Sequence, residues 1–228
     1  MRILTDSLDG SSRPDTLLVL LPPAEARIED FHAKGFVAAV RRSAIPVDLV
    51  LAEISYKHVM AKTVVSVLHE QVVQPAQAAG YGGIWFAGIS LGAFSALHYA
   101  AERAADLAGI HLMAPYPGSG DILAEIVAAG GPAAWADTPH SEQGDERAWW
   151  RWLCRESLAG RWQTQVCLST GSEDRFLRGQ RMLADLLPRE RVRYLPGTHA
   201  WPTWQELWQD WLEHGPLAGL TLRSGGAA

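Results

Sequence analysis

Residues 82–99 read GGIWFAGISLGAFSALHY, and they restrict the fold more than any other stretch of the chain. An apolar run, Ile84 to Ala87, enters Gly88-Ile89-Ser90-Leu91-Gly92, and a helix-forming segment follows without a break. This is a G-x-S-x-G sequence in strand–turn–helix context. The strand would carry Ser90 to the edge of a sheet, and the sharp turn would lift its hydroxyl clear of the packing. Backbone strain is expected at Ser90. Strand and helix must also approach closely there, which Gly88 and Gly92 allow by having no side chain. The helix would aim its first N–H groups at negative charge developing near Ser90. The pattern alone is weak, because it also arises by chance. Its partners elsewhere in the chain decide whether Ser90 is a nucleophile.

The remaining sequence supplies a sheet to hold that turn. Residues 16–21 (TLLVLL) are a continuous apolar run, the mark of a strand covered on both faces, and Pro22-Pro23 ends it. An edge strand is expected near residues 2–5, and a further strand at 46–52 (PVDLVLA). Between them, residues 25–42 read as a helix with Phe31, Phe36, Val37 and Val40 on one side. Val64, Val65, Leu68 and Val72 set a helical period through residues 58–79, closed by Gly80. After the elbow helix, which should reach about residue 107, come strands at 109–114 (GIHLMA), 163–170 (QTQVCLST) and 191–195 (RVRYL). Helices are expected at 177–187 and about 203–214. This alternation predicts an α/β fold with a mostly parallel, doubly wound sheet flanked by helices.

One interruption breaks the alternation. Residues 118–161 show no strand, only helical pieces at 121–129 and 146–158 among polar turns. Their patterning, with Trp135, Trp149, Trp150 and Trp152, argues for an ordered insertion rather than a disordered loop. At 228 residues the chain suits one domain over 1–228 that carries this insertion. A turn at Gly10-Ser11-Ser12 and a frayed tail over 222–228 complete the reading.

A serine hydroxyl is a poor nucleophile at neutral pH and needs a base, itself oriented by an acid. In a doubly wound sheet such groups gather beyond the carboxyl ends of strands. Gly171-Ser172-Glu173-Asp174 follows one expected strand, and Pro196-Gly197-Thr198-His199 follows another. Asp174 and His199 therefore succeed Ser90 in the chain order Ser, Asp, His. Asp174 also reads as a turn-former bonding its own backbone, and Asp121, soon after GIHLMA, is a rival acid. His32, His58, His69, His98 and His111 lie within helical or strand patterns and read as packing or surface residues. His140 falls in the insertion, and His214 in the last helical turn, where a cation suits the dipole.

With the GISLG elbow, the GSED turn and the GTHAW loop in hand, the chain resembles the α/β-hydrolase superfamily from TLLVLL to its last helix. More narrowly it is similar to small bacterial esterase-like serine hydrolases. The resemblance implies Ser90 as nucleophile, His199 as base and then acid, and Asp174 as the orienting acid. It makes residues 118–161 a helical cap, and implies cleavage of carboxylic esters or thioesters through an acyl-enzyme. An oxyanion hole would use the Leu91 N–H and a donor from the loop after the early strand. Here the sequence departs from the family, which often places a His-Gly pair there. Leu21-Pro22-Pro23-Ala24 offers no N–H at either proline, so the Ala24 amide is assigned instead.

Tyr116, just after GIHLMA, is a candidate pocket residue, as are Trp135 and Trp149 of the insertion and Trp201 beside His199. Helical spacing with Trp208 and Trp211 equally assigns Trp201 and Trp204 to the core.

Composition narrows the partners. The chain is 48% apolar and 20% charged, with a net charge of −5, and has no basic stripe suited to nucleic acid. No stretch approaches a membrane span. Cys154 and Cys167 form no C-x-x-C pair, so buried thiols are expected, with neither metal nor cofactor. The first residues lack a secretory signal, so a cytoplasmic enzyme is expected, monomeric or homodimeric, with a small acyl compound as its partner. An acyltransferase on the same scaffold is the alternative, and a non-catalytic binding protein a further one.

Overall fold

Seven strands pair into one sheet in the computed structural model, which describes residues 1–8, 13–137, 146–160 and 162–221. They are β1 (Ile3–Asp6), β2 (Thr16–Leu21), β3 (Val47–Ala52), β4 (Gly83–Ile89), β5 (Gly109–Met113), β6 (Gln165–Gly171) and β7 (Val192–Leu195). Their spatial order is β1-β3-β2-β4-β5-β6-β7. β1 runs antiparallel to β3, and every other neighbouring pair is parallel.

From β2 the chain steps outward to β3, then returns to lay β4 on the opposite side of β2. That reversal opens a crevice between the carboxyl ends of β2 and β4, the place where doubly wound sheets bind ligands. Register brings Leu21 opposite Gly88, so the Pro22-Pro23-Ala24 loop and the Ser90 turn leave the sheet side by side.

Both faces of the sheet are covered, which is why β2 and β4 read as unbroken apolar runs. Leu17, Val19, Leu21, Ile84, Phe86, Ile110 and Leu112 face one core, shared with the elbow helix Leu91–Arg103 and the insertion. Leu18, Leu20, Leu49, Trp85, Ala87 and Met113 face the other, under the helices Phe36–Arg42 and Trp201–His214.

Two segments differ from the sequence reading for local reasons. Residues 25–42 are not one helix. Gly35 adopts φ 77° and separates Asp30–Ala33 from Phe36–Arg42. Residues 58–79 divide likewise, with Tyr56–Met60 set apart by a turn at Lys62, where φ is 55°. The longer helical stretch then widens into a π turn at His69–Val73, just before Pro75, whose ring cannot donate into a regular α-turn.

The insertion contributes helices Gly120–Ala128, Pro132–Ala136 and Glu146–Ala159. The Gly10-Ser11-Ser12 turn, His140, Arg161 and the tail lie outside the described residues. Among the described residues no helix is long and apolar enough to cross a membrane.

Candidate active site

β4 delivers Ser90 into a conformation that few side-chain-bearing residues adopt, φ 52° and ψ −104°. Such strain costs about 1–3 kcal/mol and persists only where the surroundings impose it. Here they do. The Ser90 N–H donates to the Met113 carbonyl at 3.0 Å, and the Tyr116 N–H reaches the Ser90 carbonyl at 3.3 Å. A Cβ on Gly88 would strike the Gly92 backbone, and one on Gly92 would strike the Leu21 carbonyl. Only glycine lets β2, β4 and the elbow helix meet this closely.

His199 completes a chain of hydrogen bonds. Its Nε2 lies 2.9 Å from Ser90 Oγ, and its Nδ1 lies 2.7 Å from Asp174 Oδ2. The second Asp174 oxygen accepts the Phe176 N–H at 2.8 Å, so both carboxylate oxygens are engaged. The Asp174 side chain is fully enclosed and that of His199 only 6% exposed. Phe176 and Trp204 stand edge-on to the imidazole, with centroids 5.0 and 5.2 Å away. The two loops that carry Asp174 and His199 hold each other. Ser172 N–H donates to the Leu195 carbonyl at 2.7 Å, and Glu173 N–H to the Gly197 carbonyl at 2.9 Å. Asp174 is also a turn residue, its N–H meeting the Gly171 carbonyl at 3.2 Å.

Leu91 opens the elbow helix, where its N–H has no partner within the helix. Across the crevice, residues 23–26 form a turn closed by the Ala26 N–H on the Pro23 carbonyl at 3.3 Å, with Glu25 at φ 64°. That closure leaves the Ala24 N–H outside the turn's own hydrogen bond, on an exposed loop beside the Ser90 turn. Asp121 is elsewhere, exposed in the first turn of Gly120–Ala128, and it does not meet His199.

Of the four aromatic candidates, Tyr116 is joined to the Ser90 turn through its backbone N–H. Its ring packs between Phe94 and Phe176, 5.6 and 5.3 Å away. Burial, reinforced by Glu146 and Tyr56, raises its phenol above the ordinary range. The three tryptophans sit differently. Trp135 and Trp149 are 1% and 0% exposed within the first core; Trp149 stacks on Trp150 at 5.1 Å and meets Phe94 edge-on at 5.9 Å. Both indoles are packed into that core instead of lining an open cleft. Trp201 packs against Phe36 and Trp204, 5.8 and 5.2 Å distant.

One cavity beside Phe94 has no counterpart in the sequence reading. Val59, Met60, Val65 and Phe94 line a cavity of about 300 Å³ whose polar edge includes Glu146 and Arg147. Tyr56 and Met60 are 63% and 65% exposed, unusual for large apolar side chains. A signal was available, since this segment follows the carboxyl end of β3 just as Asp174 follows β6.

No protein-family model and no curated protein matches the sequence. Solved structures do match in shape. The fluorophosphonate-binding serine hydrolase FphF of Staphylococcus aureus superposes with a TM-score of 0.61 at 11% identity, covering 88% of this chain and 83% of that one. The S-formylglutathione hydrolase FrmB of S. aureus gives 0.62 at 10% identity, over 91% and 94%. Est1E of Butyrivibrio proteoclasticus gives 0.59 at 16% identity, over 91% and 89%.

Proposed function

We propose that this chain, which has the α/β-hydrolase fold, is a serine hydrolase that cleaves carboxylic esters or thioesters. The observation that carries the reading is the unbroken Asp174–His199–Ser90 hydrogen-bonded chain beyond the strand ends. Asp174 orients the imidazole so that Nδ1 carries the proton and Nε2 is free to accept one from Ser90. The alkoxide oxygen attacks the acyl carbon as that proton moves. The tetrahedral adduct's oxyanion accepts from the Leu91 N–H and the Ala24 N–H, donors of a kind worth about 2.7–4 kcal/mol each. His199 then protonates the leaving alcohol or thiol. A water, deprotonated in turn by His199, releases the acid from Ser90.

In this reading the substrate's apolar part lies between Tyr116 and the Val59–Met60–Phe94 wall, and residues 118–161 act as the cap that shapes it. The similarity to an S-formylglutathione hydrolase keeps thioesters in view. Est1E has been solved with ferulic acid bound, which suits an aromatic wall. Two buried, unpaired cysteines fit a reducing, cytoplasmic setting.

The aromatic enclosure of His199 favours a second reading, acyl transfer to an alcohol or thiol that outcompetes water. Both are tested by incubating wild type and Ser90→Ala with p-nitrophenyl esters of increasing acyl length, with and without added alcohol. Free acid as product supports the hydrolase, and a new ester the transferase. Equal turnover by Ser90→Ala overturns both.

A further inference from the structure

The ladder between β5 and β6 ends at Met113 and Ser169, and there the two chains part. One turns back over the nucleophile: the Met113 carbonyl accepts the Ser90 N–H, and the Tyr116 N–H donates to the Ser90 carbonyl. The other leads through Thr170 and Gly171 to Asp174. Ala114 makes the first turn with φ 44°, a conformation that an alanine keeps only where its surroundings impose it. Ser90 and Asp174 therefore depend on two segments that diverge.

Gln180 spans the gap between them. It lies on the buried face of the helix Leu177–Ala184, beside Gly179, Leu183 and Ala184, and has no exposed surface. Glutamine is mostly a surface residue, and a buried amide costs stability unless it is hydrogen-bonded. Both ends of this one are. Gln180 Nε2 donates to the Pro115 carbonyl at 3.0 Å, and Gln180 Oε1 accepts from the Thr170 hydroxyl. The amide has only this orientation, because the Pro115 carbonyl cannot donate and must face the nitrogen. Thr170 and Pro115 are buried as well.

Each partner stands next to the machinery. Pro115 precedes Tyr116, whose N–H holds the Ser90 carbonyl at 3.3 Å. Thr170 precedes Gly171, whose carbonyl accepts the Asp174 N–H at 3.2 Å. A methionine would fill similar space; only the amide joins the two segments.

We propose that Gln180 is a positioning residue for the hydrolase, a role that rests on the function proposed above. It is sealed from substrate and acts by holding Ser90 and Asp174 at the separation that His199 bridges.

Gln180→Met keeps the bulk and removes both bonds. With p-nitrophenyl acetate, at a temperature where circular dichroism shows every variant folded, its kcat should fall about 10- to 100-fold with KM within about threefold of wild type. Leu183→Ala opens a cavity on the same helix face and should lower stability while keeping the wild-type kcat. Gln180→Glu is the conservative variant. Its carboxylate cannot donate to Pro115, but its neutral acid can, so its kcat relative to wild type should recover as the pH is lowered. Wild-type kcat in Gln180→Met overturns the proposal, and so does an equal loss in Leu183→Ala. A readout without substrate keeps this apart from the hydrolase reading. The proton NMR resonance of His199 Nδ1–H, identified by its loss in His199→Ala, should move in Gln180→Met and stay in place in Leu183→Ala. A resonance unmoved in both overturns the brace even where wild type cleaves the ester. Equal turnover by Ser90→Ala overturns the hydrolase reading instead, and the resonance still decides for or against the brace.

Discussion

Two histidines rest against the same helix with opposite outcomes. His199 stands edge-on to Trp204 near the start of Trp201–His214, and His111 lies flat on Trp211 near its end. His199 has a carboxylate on one nitrogen and a hydroxyl on the other. His111 has only a hydroxyl, on Nε2, and burial, opposed only through space by Asp210, pushes it down to about 3. An imidazole becomes a base when an anion steadies its charged form at a rim that substrate can reach. Enclosed without that anion, it stays neutral and serves packing and hydrogen bonding.

The largest test of that contrast is catalytic. His199→Ala should lower kcat/KM for p-nitrophenyl acetate by about 10⁴- to 10⁶-fold. His111→Phe should stay within a few-fold of wild type; a comparable loss there would break the distinction. Next comes the anion itself. Asp174→Asn keeps the shape but lets the imidazole take the wrong tautomer, so steady-state kcat should fall by about 10⁴-fold. The indoles come third. Trp204→Ala and Trp211→Ala should each cost about 3–5 kcal/mol in urea unfolding, yet only Trp204→Ala should also lower kcat at a temperature where both remain folded.

The smallest effect is a slope. An unfolded chain binds a proton at residue 111 below about pH 6.5, whereas the folded chain holds His111 neutral down to about pH 3. Stability present above the unfolded value is therefore lost as pH falls through that window, by about 1.4 kcal/mol per pH unit. In His111→Phe the fall in unfolding free energy between pH 6 and pH 4 should be shallower by that amount. An unchanged slope would mean that His111 is not the proton-binding group.

What could be read in advance followed from periodicity and from strand ends. TLLVLL could only be a strand buried on both faces, and it is β2. That Ser90, Asp174 and His199 come together could be read because each follows a strand's carboxyl end. The tryptophans were not, because composition carries no direction. Trp149 and Trp201 differ in where they point, and that is decided by Phe94 in one case and Phe36 in the other, both distant in sequence. The break at Gly35 also escaped, since Phe31, Phe36 and Val40 keep apolar spacing across it. The cavity at Val59, Met60 and Phe94 escaped because no motif marks it in the sequence, Phe94 being distant along the chain from the other two.

The account stands on a nucleophile that depends on a distant imidazole, and intact-mass analysis after fluorophosphonate treatment tests that most directly. Wild type should gain one adduct, mapped to Ser90; His199→Ala should label far more slowly and Ser90→Ala not at all. A folded wild type that gains no mass, or a Ser90→Ala variant that labels at the same rate, would contradict it.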